Sequence, residues 1–168
     1  MQEATFNQSD IVEVTSATIE ELKAKAKAAP RGRYRLCLHR STADQVQEMV
    51  IVAPRGTYFR PHRHPAGKTE SYHVVEGSMT VFFFNDAGDV IRRIDMAAHG
   101  DGKTYLYRLS NRIWHIPVPT SDFVVYHEVY CGPFDREGDC EFASFSPPED
   151  APAAIETFLA ELMTKQPN

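Results

Sequence analysis

A short stretch of the chain carries three side chains that bind divalent metals. His62 and His64 form an H-x-H pair, and Glu70 follows six residues after the second histidine. In an extended strand, residues i and i+2 point to the same face, so the two imidazoles should project side by side. Two neutral imidazoles and a carboxylate suit Fe, Zn, Mn or Ni. The stretch therefore predicts one divalent metal ion, whose identity the donor set leaves open.

The same face of the predicted strand, Tyr58 to His64, carries two further candidates. Tyr58 and Arg60 share the parity of the two histidines, and we assign Tyr58 a catalytic role. Arg60 is a candidate substrate-binding residue because a guanidinium can clamp a carboxylate or phosphate. Its position at the start of the strand would equally let it reach solvent. Tyr72 shares the parity of Glu70, which makes it a second substrate-binding candidate, or a core tyrosine.

Alternation of apolar and polar residues predicts many short strands separated by turn residues. In Arg31 to His39, Tyr34, Leu36 and Leu38 alternate with Arg33, Arg35 and Cys37. Gly56 and Gly77 permit tight bends on either side of the metal stretch. Other strands are expected at 45–53, 70–75, 79–84, 89–96, 105–109, 113–118 and 123–130. Two hairpins should turn at 76–78 and 85–88. Such spacing favours an all-β sandwich or barrel.

Two helices should flank the strands. Thr18 and Glu21 have the spacing of a capping box, and Ile19, Leu22, Ala26 and Ala29 recur at helical period before Pro30. Before this helix, residues 11–14 could add a short strand. Near the other end, Asp150 should cap a second helix with Pro152 in its first turn. That helix has an apolar stripe made of Ile155, Phe158, Leu159, Leu162 and Met163.

Composition limits the function classes. The 168 residues suffice for one domain with a sizeable core, and a net charge of −5 argues against nucleic-acid binding. No apolar run reaches membrane-spanning length and no signal peptide is evident, so we expect a cytoplasmic protein without membrane insertion. The three cysteines have no C-x-x-C spacing and should be reduced. Neither a Ser-His-Asp grouping nor a Gly-rich phosphate loop is present.

The spacing G-x5-H-x-H-x5-E-x6-G, from Gly56 to Gly77, resembles the first motif of the cupins. The gap between the second histidine and the glutamate is five residues, against three or four in most cupins. The sequence RPHRHP…ESYHVVEG, followed later by WH and EVYCGPF, is similar to that of WbuC-type cupin metalloproteins. The similarity extends from about Arg31 to about Pro148. This resemblance implies a cupin jelly-roll barrel (double-stranded β-helix) with flanking N- and C-terminal helices. One cupin domain, 1–168, would then comprise a strand and helix at 1–30, a barrel at 31–147 and a helix at 148–168.

The resemblance also extends the site. His115, in SNRIWHIPVP, corresponds to the fourth cupin metal ligand, although Arg112 stands where glycine is common. An inward His115 would place Ile113 and Pro117 inward and Trp114 outward. Glu128, in YHEVYCGPF, matches an acidic position of the family and is a candidate general base or support for a ligand. Its neighbour His127 has no such match and is interpreted as structural.

Three functions fit these features. The first is a metal-dependent enzyme on a small polar substrate such as a sugar or nucleotide-sugar, because genes for WbuC-type proteins often lie among surface-polysaccharide genes. The second is a non-haem iron dioxygenase with the same ligand set. The third is a non-catalytic metal-dependent sugar-binding module. Each requires a small-molecule ligand, and because cupin barrels commonly pair, we also expect a homodimer.

Overall fold

In the computed structural model, which describes residues 3–167, eleven strands and two helices form two sheets with a helix against each. The elements are β1 (Ala4–Phe6), α1 (Ser16–Ala28), β2 (Tyr34–Cys37), β3 (Val46–Pro54), β4 (His62–Arg63), β5 (Glu70–Glu76), β6 (Ser78–Phe84), β7 (Val90–Ala97), β8 (Leu106–Leu109), β9 (Trp114–Pro119), β10 (Phe123–Cys131), β11 (Glu141–Phe142) and α2 (Pro152–Thr164).

The two sheets face one another across a shared core. One has the order β1-β2-β3-β10-β5-β8 and the other the order β11-β4-β9-β6-β7. Their inner faces meet in one apolar cluster, to which Met49 and Ile51 contribute from β3 and Val81 and Phe83 from β6. Because side chains alternate along a strand, every second residue of each sheet points into this interior.

Each helix covers the outer face of one sheet. Ile19, Leu22 and Ala26 of α1 pack against Val50 and Val52 of β3, as the predicted stripe requires. On the opposite side, the apolar stripe of α2 packs against Phe82, Trp114 and their neighbours. Neither helix in residues 3–167 has the length and apolar character needed to cross a lipid bilayer.

The corner at Gly77 corrects a predicted hairpin. We expected the strands on either side of residues 76–78 to pair, but β5 and β6 belong to different sheets. Gly77 has a φ of 74°, and an added Cβ would lie 2.1 Å from the carbonyl oxygen of Phe123. Only glycine fits this crossing between the sheets. The second predicted hairpin, β6 with β7, is confirmed.

The structure also corrects several ends of elements. Residues 11–14 form no strand, and the added strand is β1, which pairs with β2 in parallel. The capping box of α1 is formed by Thr15 and Thr18 instead of Thr18 and Glu21. Asp150 does not cap α2, because Ala151 occupies the N-cap position without a side-chain bond. Within the predicted strand from Tyr58 to His64, only His62 and Arg63 form a β-strand.

Candidate metal centre

Two adjacent strands of the five-stranded sheet bring three histidines together. His62 of β4 lies directly opposite His115 of β9, and His64 follows the end of β4. The nearest ring nitrogens of the three imidazoles all lie within 4.8 Å of one another. The predicted fourth ligand, 51 residues beyond His64 in the chain, is therefore brought beside the H-x-H pair.

Backbone carbonyls orient all three rings. The Nδ1 atoms of His62, His64 and His115 lie 3.0 Å from Arg60 O, 2.6 Å from Asp139 O and 3.0 Å from Ile113 O. A carbonyl only accepts, so each Nδ1 carries a proton, and in the neutral ring Nε2 keeps its lone pair. Neutral imidazoles with a free Nε2 are the form that binds divalent metals.

Glu70, fully buried at the start of β5, completes the donor set. Its Oε1 lies 2.9 Å from Nε2 of His115 and its Oε2 lies 3.2 Å from Nε2 of His64. The His115 nitrogen nevertheless makes no hydrogen bond, because the direction of the contact does not fit one. The Nε2 of His64 has hydrogen-bond geometry to this carboxylate, whereas the buried Nε2 of His115 beside it has no partner, and a cation between His115 and Glu70 would satisfy both groups. The residues present therefore fit a divalent metal.

Electrostatics within the cluster favour neutral imidazole and ionised carboxylate. Burial, reinforced by the neighbouring His115 and His64, lowers the pKa of His62 to about 3. Burial would raise the pKa of Glu70, but His115 and His64 hold that pKa below its usual range. Burial would lower the pKa of His64, but the contact with Glu70 raises that pKa above its usual value. A metal must therefore displace a proton most readily from the His64–Glu70 pair.

The cluster borders a cavity of about 490 Å³ between the two sheets. His62 and His64 line this cavity, whereas Glu70 and His115 lie behind them in the protein interior. The volume falls within the range of small-molecule pockets. A ligand in the cavity would therefore approach the cluster from the side of the H-x-H pair.

Glu128 lines the cavity from the wall of the six-stranded sheet. One register row crosses this wall through Cys37, Met49, Glu128, Tyr72 and Tyr107. Burial, together with the charge of Glu70, raises the pKa of Glu128 to about 7. Within the described residues its carboxylate makes no hydrogen bond or ion pair. It is thus a free carboxyl beside the histidine cluster, with the pKa of an acid–base group at neutral pH.

Placement of the other predicted site residues is mixed. Arg60 and Tyr72 line the cavity, Tyr72 from β5 and Arg60 from the irregular segment before β4. Tyr58 does not, because residues 58–61 lie outside the strand ladder and its period does not apply to them. Its hydroxyl donates to Pro147 O at 2.8 Å and its ring packs on Phe158 of α2. Tyr58 therefore lies outside the cavity lining, and its catalytic role stays a prediction.

The second motif has the predicted orientation. Ile113 contacts the interior core, while Trp114 lies in the cluster beneath α2, with its ring 6.1 Å from Phe145. Arg112 needs no positive φ, and its guanidinium pairs with Glu141. His127 is not part of the metal cluster, and its Nε2 lies 3.6 Å from Glu48.

The sequence interpretation missed three residues at the site. Arg35 lines the cavity, although apolar–polar alternation would turn it to solvent. The helix α1 could have indicated this orientation. Its apolar stripe packs on the apolar side chains of β2, so Arg35 and Cys37 on the other face of β2 point into the interior. Tyr130 packs against His64 with ring centroids 4.6 Å apart. Asp139 supplies a backbone carbonyl, which has no signature in the sequence.

Comparisons with known proteins identify the fold. The family described as "Domain of unknown function (DUF6016)" matches residues 14–96. No curated protein matches the chain. The chain is similar to the solved structure of protein SO0799 from Shewanella oneidensis, with 15% identity, 83% of this chain and 90% of that chain covered, and a TM-score of 0.57. It is also similar to an oxalate oxidase in complex with the substrate analogue glycolate, with 12% identity, 83% and 77% coverage, and a TM-score of 0.53.

A third similar structure is the capsular polysaccharide assembling protein CapF from Staphylococcus aureus. Identity is 21%, the TM-score is 0.50, and 66% of this chain is covered but only 31% of CapF. These likenesses concern the fold. The chain has the cupin fold, a jelly-roll β-barrel with a helix on each side, as the motif resemblance implied. Its three-histidine cluster inside the barrel is a group of side chains that could hold a metal ion.

Proposed function

We propose that this cupin is a metal-dependent enzyme that catalyses proton transfer within a small polar substrate, an isomerisation or epimerisation. The observation that carries the proposal is a three-histidine cluster, with each Nδ1 held by a backbone carbonyl, beside a cavity that also contains the unpartnered Glu128. A divalent metal held by His62, His64 and His115, with Glu70, would polarise a carbonyl or hydroxyl of the substrate.

Glu128 supplies the acid–base chemistry in this proposal. Its carboxylate accepts a proton from the carbon or hydroxyl beside the polarised group and returns it to another position of the same molecule. No electrons leave the substrate, so neither oxidant nor reductant is consumed. A pKa of about 7 lets Glu128 act as base and acid near neutral pH. The tyrosine-rich wall around it, Tyr72 and Tyr126, keeps water from the reacting atoms.

A sugar or nucleotide-sugar of surface-polysaccharide synthesis is our proposal for the substrate. The motif similarity to WbuC-type cupins supports this class. The cavity chemistry is also suitable, because Phe59, Phe142 and Tyr130 offer ring faces and Arg60 offers a guanidinium. Sugars stack on aromatic faces through their C–H groups, and their hydroxyls and phosphates bind guanidinium donors.

The first experiment is elemental analysis of the untagged protein after reconstitution with Zn²⁺, Mn²⁺ and Fe²⁺ in turn. One bound metal ion per chain is expected, and no bound metal in any preparation would contradict the proposal. The metal-loaded protein is then incubated in D₂O with a panel of nucleotide-sugars and sugar phosphates. Deuterium incorporation that requires Glu128 would support proton transfer. Substrate-dependent oxygen uptake by the iron form would favour a dioxygenase instead, and binding without turnover would indicate a binding module.

A further inference from the structure

Arginines are concentrated around the cavity of an otherwise acidic protein. Five guanidinium groups line it, although the whole chain has a net charge of −5. They belong to Arg31, Arg33, Arg35, Arg60 and Arg136. Three carboxylates share the lining, those of Glu3, Glu128 and Glu149. The lining thus has two more guanidinium groups than carboxylates, the opposite sign from the net charge of the whole chain.

Salt bridges neutralise only part of that excess. Arg31 pairs with Glu3 and, at 3.3 Å, with Glu149, and Arg33 pairs with Glu149 at 2.8 Å. The side chains of Glu3, Arg31, Glu149 and Arg33 are thus joined by successive ion pairs at one side of the cavity. The guanidinium of Arg33 also donates to Tyr58 O at 2.6 Å, so both of its terminal nitrogens already have partners within the protein.

Arg35, Arg60 and Arg136 remain without a carboxylate partner among residues 3–167, but Arg136 is exposed to solvent, which leaves Arg35 and Arg60 as the partly buried pair. The one side-chain contact of the Arg35 guanidinium is with Met49 Sδ, at 3.9 Å, and no ion pair joins it to Glu128. Arg60 donates to Ser146 Oγ and Ala143 O at 3.4 Å and 3.2 Å, and its guanidinium stacks 5.3 Å from the Phe142 ring. Stacking orients the planar fork of Arg60 and leaves other N–H groups free.

The two arginines approach the cavity from different walls. Arg35 lies on β2 of the six-stranded sheet. Arg60 lies two residues before His62, the first residue of β4 and a candidate metal ligand. A partly buried guanidinium without a counter-ion is costly, and an oxyanion offsets that cost with charge-assisted, bidentate hydrogen bonds.

We propose that Arg35 and Arg60 form a subsite for an oxyanion, a carboxylate or phosphate, carried by the substrate. The proposal rests on the proposed function, because it names the class of substrate that the same cavity takes: a small anionic molecule. The anionic group lies between the two guanidiniums, and the uncharged end of the molecule reaches His62, His64 and Glu128. A neutral sugar lacks the group that this subsite binds.

Isothermal titration calorimetry of the metal-loaded protein at fixed ionic strength tests the subsite. The probes are inorganic phosphate, acetate and the neutral sugar glucose. At least one anion is expected to bind at millimolar concentration or below, and glucose at least about 10-fold more weakly. Phosphate and acetate together decide which oxyanion the subsite prefers. Failure of both anions to bind at millimolar concentration would overturn the proposal.

Matched variants locate the binding. Arg35→Met and Arg60→Met keep the apolar stem, and each should weaken anion binding about 10-fold or more while leaving metal content unchanged. Arg35→Lys, which keeps the charge but loses the fork, should give an intermediate value and guards against a folding defect. Arg55→Met is the control, because Arg55 is an exposed arginine paired with Asp122 outside the cavity.

One further comparison separates the subsite from the metal centre. If anion binding disappears in His62→Ala but persists in both arginine variants, the anion binds the metal and the subsite is refuted. If the wild-type protein holds no metal yet binds phosphate through Arg35 and Arg60, the metal-dependent function fails and the subsite stands.

Discussion

At the residue scale, the candidate metal centre depends on the backbone carbonyls that orient the histidine rings as well as on the histidines themselves. Each histidine donates Nδ1–H to a carbonyl, two of them within its own strand segment, from Arg60 and Ile113. The third carbonyl, from Asp139, belongs to a loop 75 residues away in the chain from His64. Such fixed tautomers lower the cost of ordering the rings when a metal binds.

His115 gives the sharpest test of the ligand set. His115→Ala should lower metal affinity at least about 10-fold, because it removes a buried donor beside Glu70 while His62 and His64 remain. Competition against a coloured chelator measures the affinity. His127→Ala is the matched control, since its ring contacts Glu48 away from the cluster and its loss should leave the affinity unchanged. Metal loss in the control but not in His115→Ala would transfer the fourth ligand to β10.

In the proposed reaction, Glu128 should make the rate depend on pH. Below its pKa of about 7 the carboxyl is protonated and cannot accept a proton, so the rate should rise with pH through that range. In Glu128→Gln the rising limb should vanish and the rate should fall at least about 100-fold. A pH–rate profile of both proteins measures this, and an unchanged profile in the variant would exclude Glu128 as the base.

The same group predicts a change in stability. Because burial raises the folded-state pKa to about 7 from an ordinary value of 4.5, the native state holds a proton that the unfolded chain has lost between those pH values. Stability from this group is therefore present at low pH and lost as pH rises through about 7. Relative to wild type, Glu128→Gln should gain on the order of 1 kcal/mol at pH 8 compared with pH 5. Urea unfolding in chelator, where no metal perturbs the carboxyl, measures the difference.

At the element scale, the loop between β10 and β11 is tied to the metal centre. The ammonium of Lys68 donates to the carbonyls of Cys131 and Pro133 and lies 3.3 Å from the Asp139 carboxylate. The Asp139 carbonyl in turn accepts the proton of His64. One side chain thus joins the loop to the turn that follows β4.

Lys68→Met should loosen this loop and weaken metal binding about 10-fold through His64, without removing a ligand. The control is Lys103→Met, because Lys103 is an exposed lysine in the loop before β8. Chelator competition gives the affinity, and thermal unfolding of the metal-free proteins shows whether the fold is retained. Equal affinities in both variants would show that the Lys68 contacts do not position His64.

At the scale of the whole molecule, β1 and the segment after it expose backbone and apolar groups that could contact another chain. β1 is the edge strand of the six-stranded sheet, and edge strands are templates for pairing with another chain. The segment that follows exposes Ile11, Val12 and Val14, with 82% of Ile11 accessible to solvent. We propose that a second copy of the chain covers this surface and forms the expected homodimer.

Light scattering should then give twice the 19.0 kDa mass of the chain at micromolar concentration. Ile11→Asp should shift the mass toward that of the monomer, because it places a charge in the proposed interface. Ile91→Asp provides a control at an exposed apolar residue on β7, at the edge of the other sheet. A monomeric mass for the wild type across the whole concentration range would refute the dimer.

The sequence by itself determined features that depend on local periodicity. The two-residue period placed His62 and His64 side by side, and the helical period located the buried stripes of α1 and α2. Motif resemblance added the barrel and the inward orientation of His115. Each of these follows from residues near in the chain or from a pattern that does not require knowing what each face contacts.

Tertiary structure decided what lies opposite each face. Tyr58 shares the parity of His62 but packs under α2, because the backbone before β4 leaves the strand ladder. Arg35 points into the cavity because α1 covers the outer face of β2 and takes its apolar side chains. β5 and β6 lie in two sheets instead of one hairpin, and the residue between them must be glycine because the carbonyl of Phe123 leaves no room for a Cβ. Alternation specifies two faces of a strand, and only packing against α1 and the second sheet specifies which face is inside.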